Sequence, residues 1–561
     1  MNLFSKSLYR IPRLLRRNMS SSSSRNLFEY TSGRFLFNEE LRRSERYVPF
    51  DVDALLNAIC NAVSRNVDDL ASFSKIAEGG FNRILQATFK DGYAVIARIP
   101  YRITVPEHYA VASEAATLDL LHSKGIPVPK VLTYAPNRAN PVGTEYILME
   151  KLEGVPLSTQ WFTMNNKARV KIMKQIVDLE KQFMSIRFPA SGSLYYRKDL
   201  TQLQRAIPLA VQDNPRGPSE IVVGPTAQHE WWYKERARLE IDRGPWIDFR
   251  SAFEAPAKRE LEFCKQFGRS RLHVERYLRQ LYEFKEAQPA THIQLLLEFL
   301  RLTPHLEVPS DHRFSRPTLR HPDFSPNNIL INSSNDISGI IDWQHAVVLP
   351  LCLCAGIPDY FQNWGDPLSE RLAKPEVNMP DNFDQLNKFE QATVKESIRK
   401  RLVHFYYAAL TMNQMPDHFD ALREENLMLR AKLFKRSSAP WEGDSLSLEY
   451  AIFQASTNWP MHVDDMEPPS AVMCPVQFSE NEIQRILKDH DREQEIMEEL
   501  SEMRDLIGID ALGWVPDDEQ LGRSKDVVRQ IKAGLAEHCN TKLERTALQS
   551  HFPFDDHDED G

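Results

Sequence analysis

At 561 residues the chain is longer than a single hydrophobic core usually organises, so two lobes or domains with extensions are expected. Its ordinary apolar and charged content excludes wholesale disorder, and a net charge of −9 offers no general phosphate-binding surface, so nucleic acid is not an expected partner. Six cysteines without a CxxC pair point to neither a disulfide framework nor a zinc cluster, and the longest apolar run, around Ala346 to Ile357, is broken by Pro350 and too short for a transmembrane segment.

The first residues carry Lys6, Arg10, Arg13, Arg16, Arg17 and Arg25, with no acidic residue before Glu29. On a helix, Leu3, Phe4, Leu8, Ile11, Leu14 and Leu15 fall on one side and the basic residues on the other. This cationic, Arg- and Ser-rich segment reads as a mitochondrial transit peptide, so residues 1–30 are set apart from the fold and the mitochondrial matrix is the expected destination. An N-terminal extension follows over 31–69, where Val52, Leu55, Leu56, Ile59 and Val63 recur at helical spacing.

Residues 70–152 open on "KIAEGGFNRILQATFKDGYAVIARIP", an antiparallel hairpin split at Asp91-Gly92. A helix from about His108 to Ser123 and two strands, "VPKVLTYA" and "TEYILMEKL", complete a small lobe. Gly154 and Pro156 mark the crossing to a mainly helical half over 153–460, with an insertion at about 192–309 read as largely helical. A helical extension is expected over 461–550, and the acidic end, 551–561, is expected to be a disordered tail. The order predicts an α+β, two-lobed arrangement with a cleft between the lobes.

The chemistry concentrates in "RHPDFSPNNILI" and "GIIDWQ". Asp323 lies in a proline-containing loop and is the candidate to orient and deprotonate a hydroxyl. Asn328, five residues on, and Asp342, at the end of the following strand, are hard oxygen ligands of the kind that suits Mg²⁺. In the first half, Arg98 with Glu114 would hold ATP phosphates, and the "EGGFNR" turn, with Gly79, Gly80 and Asn82, would cover them with backbone N–H groups. The backbone around Met149 to Leu152, including Glu150 and Leu152, would face the adenine edge. Together these are the parts that phosphoryl transfer from ATP requires. Tyr195, Trp231, Trp232 and Trp246 could line an apolar or cation-accepting cleft for the acceptor, although aromatic residues at these spacings more often belong to the core, while His321 and Trp343 read as bracing residues.

With those parts in order, "HPDFSPNNILI", "GIIDW", "AVIARIP", "SEAATLDLLHSKGIPVPKVL" and "YILMEKLEGVPL" closely resemble the aminoglycoside phosphotransferase family, in a fungal mitochondrial branch, over about residues 70 to 350. The resemblance implies a protein-kinase-like fold and ATP- and Mg²⁺-dependent transfer to a hydroxyl of a small-molecule acceptor. By position it makes Asp323 the catalytic base, Asn328 and Asp342 the magnesium ligands, Arg98 the phosphate-binding cation and Glu114 its partner. Departures are Arg98 where kinases often carry Lys, Pro322 where Gly is common, and "DWQ" in place of DFG. The absence of GxGxxG and APE-like segments argues against a protein kinase. The competing reading is a nucleotide-binding scaffold that keeps the fold without transfer activity.

Overall fold

The computed structural model describes residues 27–210, 221–459 and 473–559. Most of the transit-peptide reading therefore lies outside the described residues. At its far edge, however, Leu27 and Tyr30 are buried in the small-lobe core, so the folded chain begins by Leu27.

The chain enters through β1 (Arg34–Phe35), α1 (Glu39–Glu45) and α2 (Val52–Ala62), the last capped by the Asp51 side chain and burying Leu55, Leu56 and Ile59. Next come β2 (Leu70–Glu78), β3 (Asn82–Phe89) and β4 (Ala94–Pro100), then α3 (Tyr109–Ser123), β5 (Val131–Ala135) and β6 (Tyr146–Glu150). The five strands form one antiparallel sheet in the order β2-β3-β4-β6-β5. Strand periodicity decides its chemistry: Val95, Ala97 and Ile99 turn one face of β4 into the α2 core, which leaves Arg98 on the other face toward α3. α3 is buried on every side from Ala110 to Leu121.

The crossing to the second lobe is tight. Gly154 has φ +124°, and a Cβ there would lie 2.8 Å from the Ile331 carbonyl oxygen. β7 (Val155–Pro156) then pairs with β12 (Ile329–Ile331), which pairs in turn with β13 (Ile337–Ile340). The large-lobe core forms around α4 (Asn166–Met184), α5 (Phe249–Phe267), α6 (Pro289–Leu302) and α7 (Lys388–Gln414). Within the insertion, predicted as largely helical, the structure has a three-stranded sheet of β8 (Ser193–Tyr196), β9 (Ile207–Pro208) and β10 (Ile221–Gly224) before α5 and α6 begin. The short β-branched run "IVVG" carries β10, and beyond the insertion β11 (Pro317–Leu319) pairs with β14 (Val348–Pro350). No helix among the described residues is long and apolar enough to cross a membrane.

α8 (Glu425–Ser437), α9 (Leu446–Thr457), α10 (Glu480–Ile507), β15 (Trp514–Val515), α11 (Asp518–His538) and α12 (Lys542–His551) complete the chain. The end of the chain corrects the expectation of a disordered tail. Phe552 and Phe554 are buried, Asp556 Oδ1 accepts from the Asn38 N–H at 2.5 Å, and the Glu559 carboxylate bonds Asn38 and Arg42. Two phenylalanines anchor the acidic run in a core with Phe37, Leu500, Ile507 and Val528, and β15 pairs with β1. Phe552→Ala should therefore cost about 3 kcal/mol in urea unfolding; a tail that does not pack would show no change.

Candidate active site

The loop before β12 is built around His321. Its Nδ1 accepts the Asp323 N–H at 3.1 Å, so the ring proton sits on Nε2, which donates to the Ile341 carbonyl at 3.0 Å. Burial lowers the imidazole pKa to about 4 and keeps it neutral, between Phe324 and Trp343. His321 is thus a brace that joins the Asp323 loop to the strand leading to Asp342.

Asp323 Oδ2 accepts from Asn328 Nδ2 at 2.9 Å and from Ser325 Oγ at 3.3 Å. Its other oxygen has no protein donor among the described residues, and the side chain lines a cavity of about 520 Å³. Burial raises the carboxyl pKa above the usual aspartate value, the neighbouring Asp342 and Asp359 adding to the shift against the hydrogen bonds from Ser325 and Asn328. Asn328 also donates to the Asp323 carbonyl at 2.9 Å, so both of its bonds use the amide nitrogen and leave the side-chain carbonyl as an oxygen ligand. The Ile341 N–H donates to the Asn328 carbonyl at 2.9 Å, which brings Asp342 to the same end of the β12–β13 hairpin. Asp342 holds a left-handed backbone, φ +67°, and its side chain stays 46 % exposed. Among the described residues no group of three or more His, Cys, Asp and Glu could hold a metal ion. Asn328 with Asp342 fits a cation that takes its remaining ligands from phosphates and water, as Mg²⁺ does.

Arg98 lies at the centre. It is paired with Glu114, and its Nη2 donates to Asp342 Oδ1 at 2.5 Å and to Gln344 Oε1 at 2.6 Å. Its Nε is buried without a partner among the described residues. Burial pushes the Glu114 carboxyl up to about 7, with Arg98 pulling it down and Asp342 raising it further. Arg98 keeps its charge, because Glu114 and Asp342 together outweigh the cost of burial.

Sequence reasoning missed Gln344. Its Oε1 also accepts from Asn82 Nδ2 at 2.6 Å, so one buried amide ties the glycine turn of the small lobe to Arg98. The Asn82 side chain is thereby committed to the protein. Gly79 N–H closes the turn on the Asn82 carbonyl at 2.9 Å, and a Cβ at Gly80 would meet open space, so that glycine is not imposed by packing. At the lobe crossing the Glu150 N–H is taken by the Lys130 carbonyl at 3.0 Å, whereas the Leu152 N–H has no acceptor among the described residues. Gln344→Leu should cost about 1–3 kcal/mol in chemical denaturation, since it strands the Asn82 amide and one Arg98 N–H in the interior. A change near zero would mean that the two lobes are not coupled through this side chain.

The aromatic residues chosen for the acceptor cleft are packed elsewhere. Tyr195 is fully buried, Trp231 and Trp246 pack on each other in a separate core, and Trp232 stacks on Tyr109. The insertion instead reaches the cavity through the neighbouring Gln228, His229 and Glu230, and Asp359 and Phe81 of the glycine turn line it as well. Those polar residues follow directly on β10, which the reading of the segment as helical concealed.

A family model described as the phosphotransferase enzyme family matches residues 74–352. A subtelomeric hrmA-associated cluster protein of Aspergillus fumigatus is 33 % identical over 84 % of this chain and 96 % of its own length. The protein called altered inheritance of mitochondria protein 9, mitochondrial, of Scheffersomyces stipitis is 24 % identical over 89 % of this chain and 85 % of its own. Among solved structures, the aminoglycoside phosphotransferase APH(4)-Ia aligns with 69 % of this chain and 99 % of its own, at 14 % identity and a TM-score of 0.31.

Proposed function

The chain belongs to the phosphotransferase enzyme family, and from that premise we propose that it transfers the γ-phosphate of ATP, with Mg²⁺, to a hydroxyl of a small molecule in the mitochondrial matrix. The observation that carries this reading is Asp323: one carboxylate oxygen is fixed by Asn328 and the other belongs to a side chain on a cavity that accommodates a small molecule. Asp323 orients the acceptor hydroxyl and takes its proton, and its raised pKa makes it a stronger base than an exposed aspartate. Arg98, positioned by Glu114 and Gln344, binds the phosphates of the nucleotide. Asn328 and Asp342 hold the metal, which supplies positive charge to the phosphate oxygens when bound. The open Leu152 N–H faces the base.

The cavity also restricts the acceptor. Asp323, Glu230 and Asp359 put three carboxylates on its wall, while its one arginine, Arg320, is spent on Glu180 at 2.6 Å and on the Cys354 and Gly356 carbonyls. Such a wall repels anions and favours a neutral or cationic alcohol. Sugars and amino alcohols therefore fit, and hydroxy acids and anionic lipid headgroups do not. The matrix location is supported by the acid-free basic start of the chain and by relatives named as mitochondrial.

The test is transfer of labelled γ-phosphate from Mg·ATP into a mitochondrial small-molecule extract by a chain beginning at Leu27, which keeps the buried Leu27 and Tyr30 in place. Label in a neutral or cationic metabolite is expected. ATP binding without label in any metabolite or protein would instead favour the nucleotide-binding scaffold, for which the engagement of Arg98 by Asp342 and Gln344 is the one structural argument.

A further inference from the structure

A second cavity, of about 230 Å³, lies where the N-terminal extension, the insertion and the C-terminal extension meet, and it shares no lining residue with the Asp323 cavity. Five arginines line it: Arg42 from α1, Arg271, Arg276 and Arg279 from the insertion, and Arg504 from the end of α10. Three carboxylates, Glu275, Asp558 and Glu559, stand against them. The pairing is uneven. Arg42 meets Glu559 and Glu45, and Arg504 meets Glu275 at 2.7 Å. Arg271 comes no closer than 3.9 Å to Glu442.

Arg276 and Arg279 have no carboxylate within ion-pair distance among the described residues, although they are only 8 % and 6 % exposed. Arg276 donates to the Ser550 and Phe552 carbonyls, and Arg279 to the His273 carbonyl and to His551 Nδ1, all uncharged acceptors. Burial lowers the Arg279 pKa to about 10, and the adjacent Arg276 and Arg271 lower it further in the same direction. Buried like charges of this kind are costly unless a counterion joins them. Arg42 Nε and Arg271 Nε are further buried donors without a partner among the described residues.

We propose that this arginine cluster is a binding site for a small oxyanion, a phosphate or the phosphate group of a small metabolite, separate from the nucleotide site. Guanidinium forks match a tetrahedral oxyanion in geometry as well as charge. The cavity holds an anion of that size, and an anion bound there would join three segments that are distant in sequence.

The probe is inorganic phosphate, added to the full chain at constant ionic strength against chloride, with the midpoint of thermal unfolding as readout. A saturable rise in Tm specific to phosphate is expected. Arg271→Gln, a part-exposed position without a close ion pair, should weaken the apparent affinity roughly tenfold while leaving Tm in chloride no lower, since it removes one of the clustered like charges. Arg279→Lys keeps the buried charge but not the fork, and should weaken it by a smaller factor. Asp342→Ala, which alters the nucleotide site, should respond to phosphate as the native chain does. No phosphate-specific shift, or an equal shift in Arg271→Gln and Arg279→Lys, overturns the proposal. A response lost in Asp342→Ala but kept in both arginine variants would also overturn it, because the phosphate would then be at Arg98.

Discussion

Asp323→Ala is expected to fold, to bind Mg·ATP as the native chain does, and to lose about 10²- to 10⁴-fold in kcat. Little of the fold depends on this carboxylate. Its protein partners are the Asn328 amide, which keeps a second bond to the residue 323 carbonyl, and the Ser325 hydroxyl at 3.3 Å. The loop itself is held by His321 through the backbone N–H of residue 323 and the Ile341 carbonyl, neither of which the substitution removes. The loss should therefore appear in kcat and in kcat/KM together, as for a group acting in the transition state, with the KM for ATP little changed. Asp323→Asn keeps size and hydrogen bonding and should be nearly as slow, because an amide cannot take the proton. Full transfer by either variant would remove Asp323 from the role of base.

The second large effect concerns Arg98. Arg98→Met should lower stability by about 3–5 kcal/mol, the usual cost of removing one partner from a buried ion pair. It leaves Glu114, 3 % exposed, facing Asp342 without a guanidinium between them. The deficit depends on pH with a definite sign. The Glu114 carboxyl is already raised to about 7 in the folded chain, above its unfolded value, so the folded state binds the extra proton and stability falls as pH rises through that interval. Without Arg98 the carboxyl rises further. The variant should therefore be closer to the native chain at pH 5 than at pH 8 in urea unfolding. Arg98→Met with Glu114→Gln should recover most of the stability but not nucleotide binding, which separates the structural from the functional part of the pair. A pH-independent deficit would mean that the loss is one of packing.

How much of this could be read from the chain differs from site to site. Arg98 was legible because a strand alternates with period two, and three apolar residues at every second position leave the one between them facing away. The Asp323–Asn328–Asp342 spacing was legible because a loop and one hairpin fix it locally. Gln344 was not, since its two partners lie 246 and 262 residues away and nothing in a glutamine after "DW" announces them. The lining of the Asp323 cavity was only half legible: core packing, one of the two readings open for the tryptophans near Glu230, is what Trp231 and Trp246 do, whereas nothing marked polar His229 and Glu230 as the residues that line the cavity. The acidic end misled for a related reason, because two phenylalanines among acidic residues weigh little in composition and much in burial.

The pairing of β1 with β15, and of the α1 region with Asp556 and Glu559, bears on the order in which the protein can assemble. Residues 34 and 35 find their strand partners at 515 and 514, so the loop closed by that contact is nearly the whole chain. During synthesis, or passage through a narrow pore with the N-terminus leading, the leading segment has no partner until the trailing one arrives. The small-lobe sheet can form early from local hairpins, but its outer layer must wait. Completion of the fold thus reports that the whole chain has been delivered, and a chain truncated near its end should carry an unpaired leading edge open to proteases.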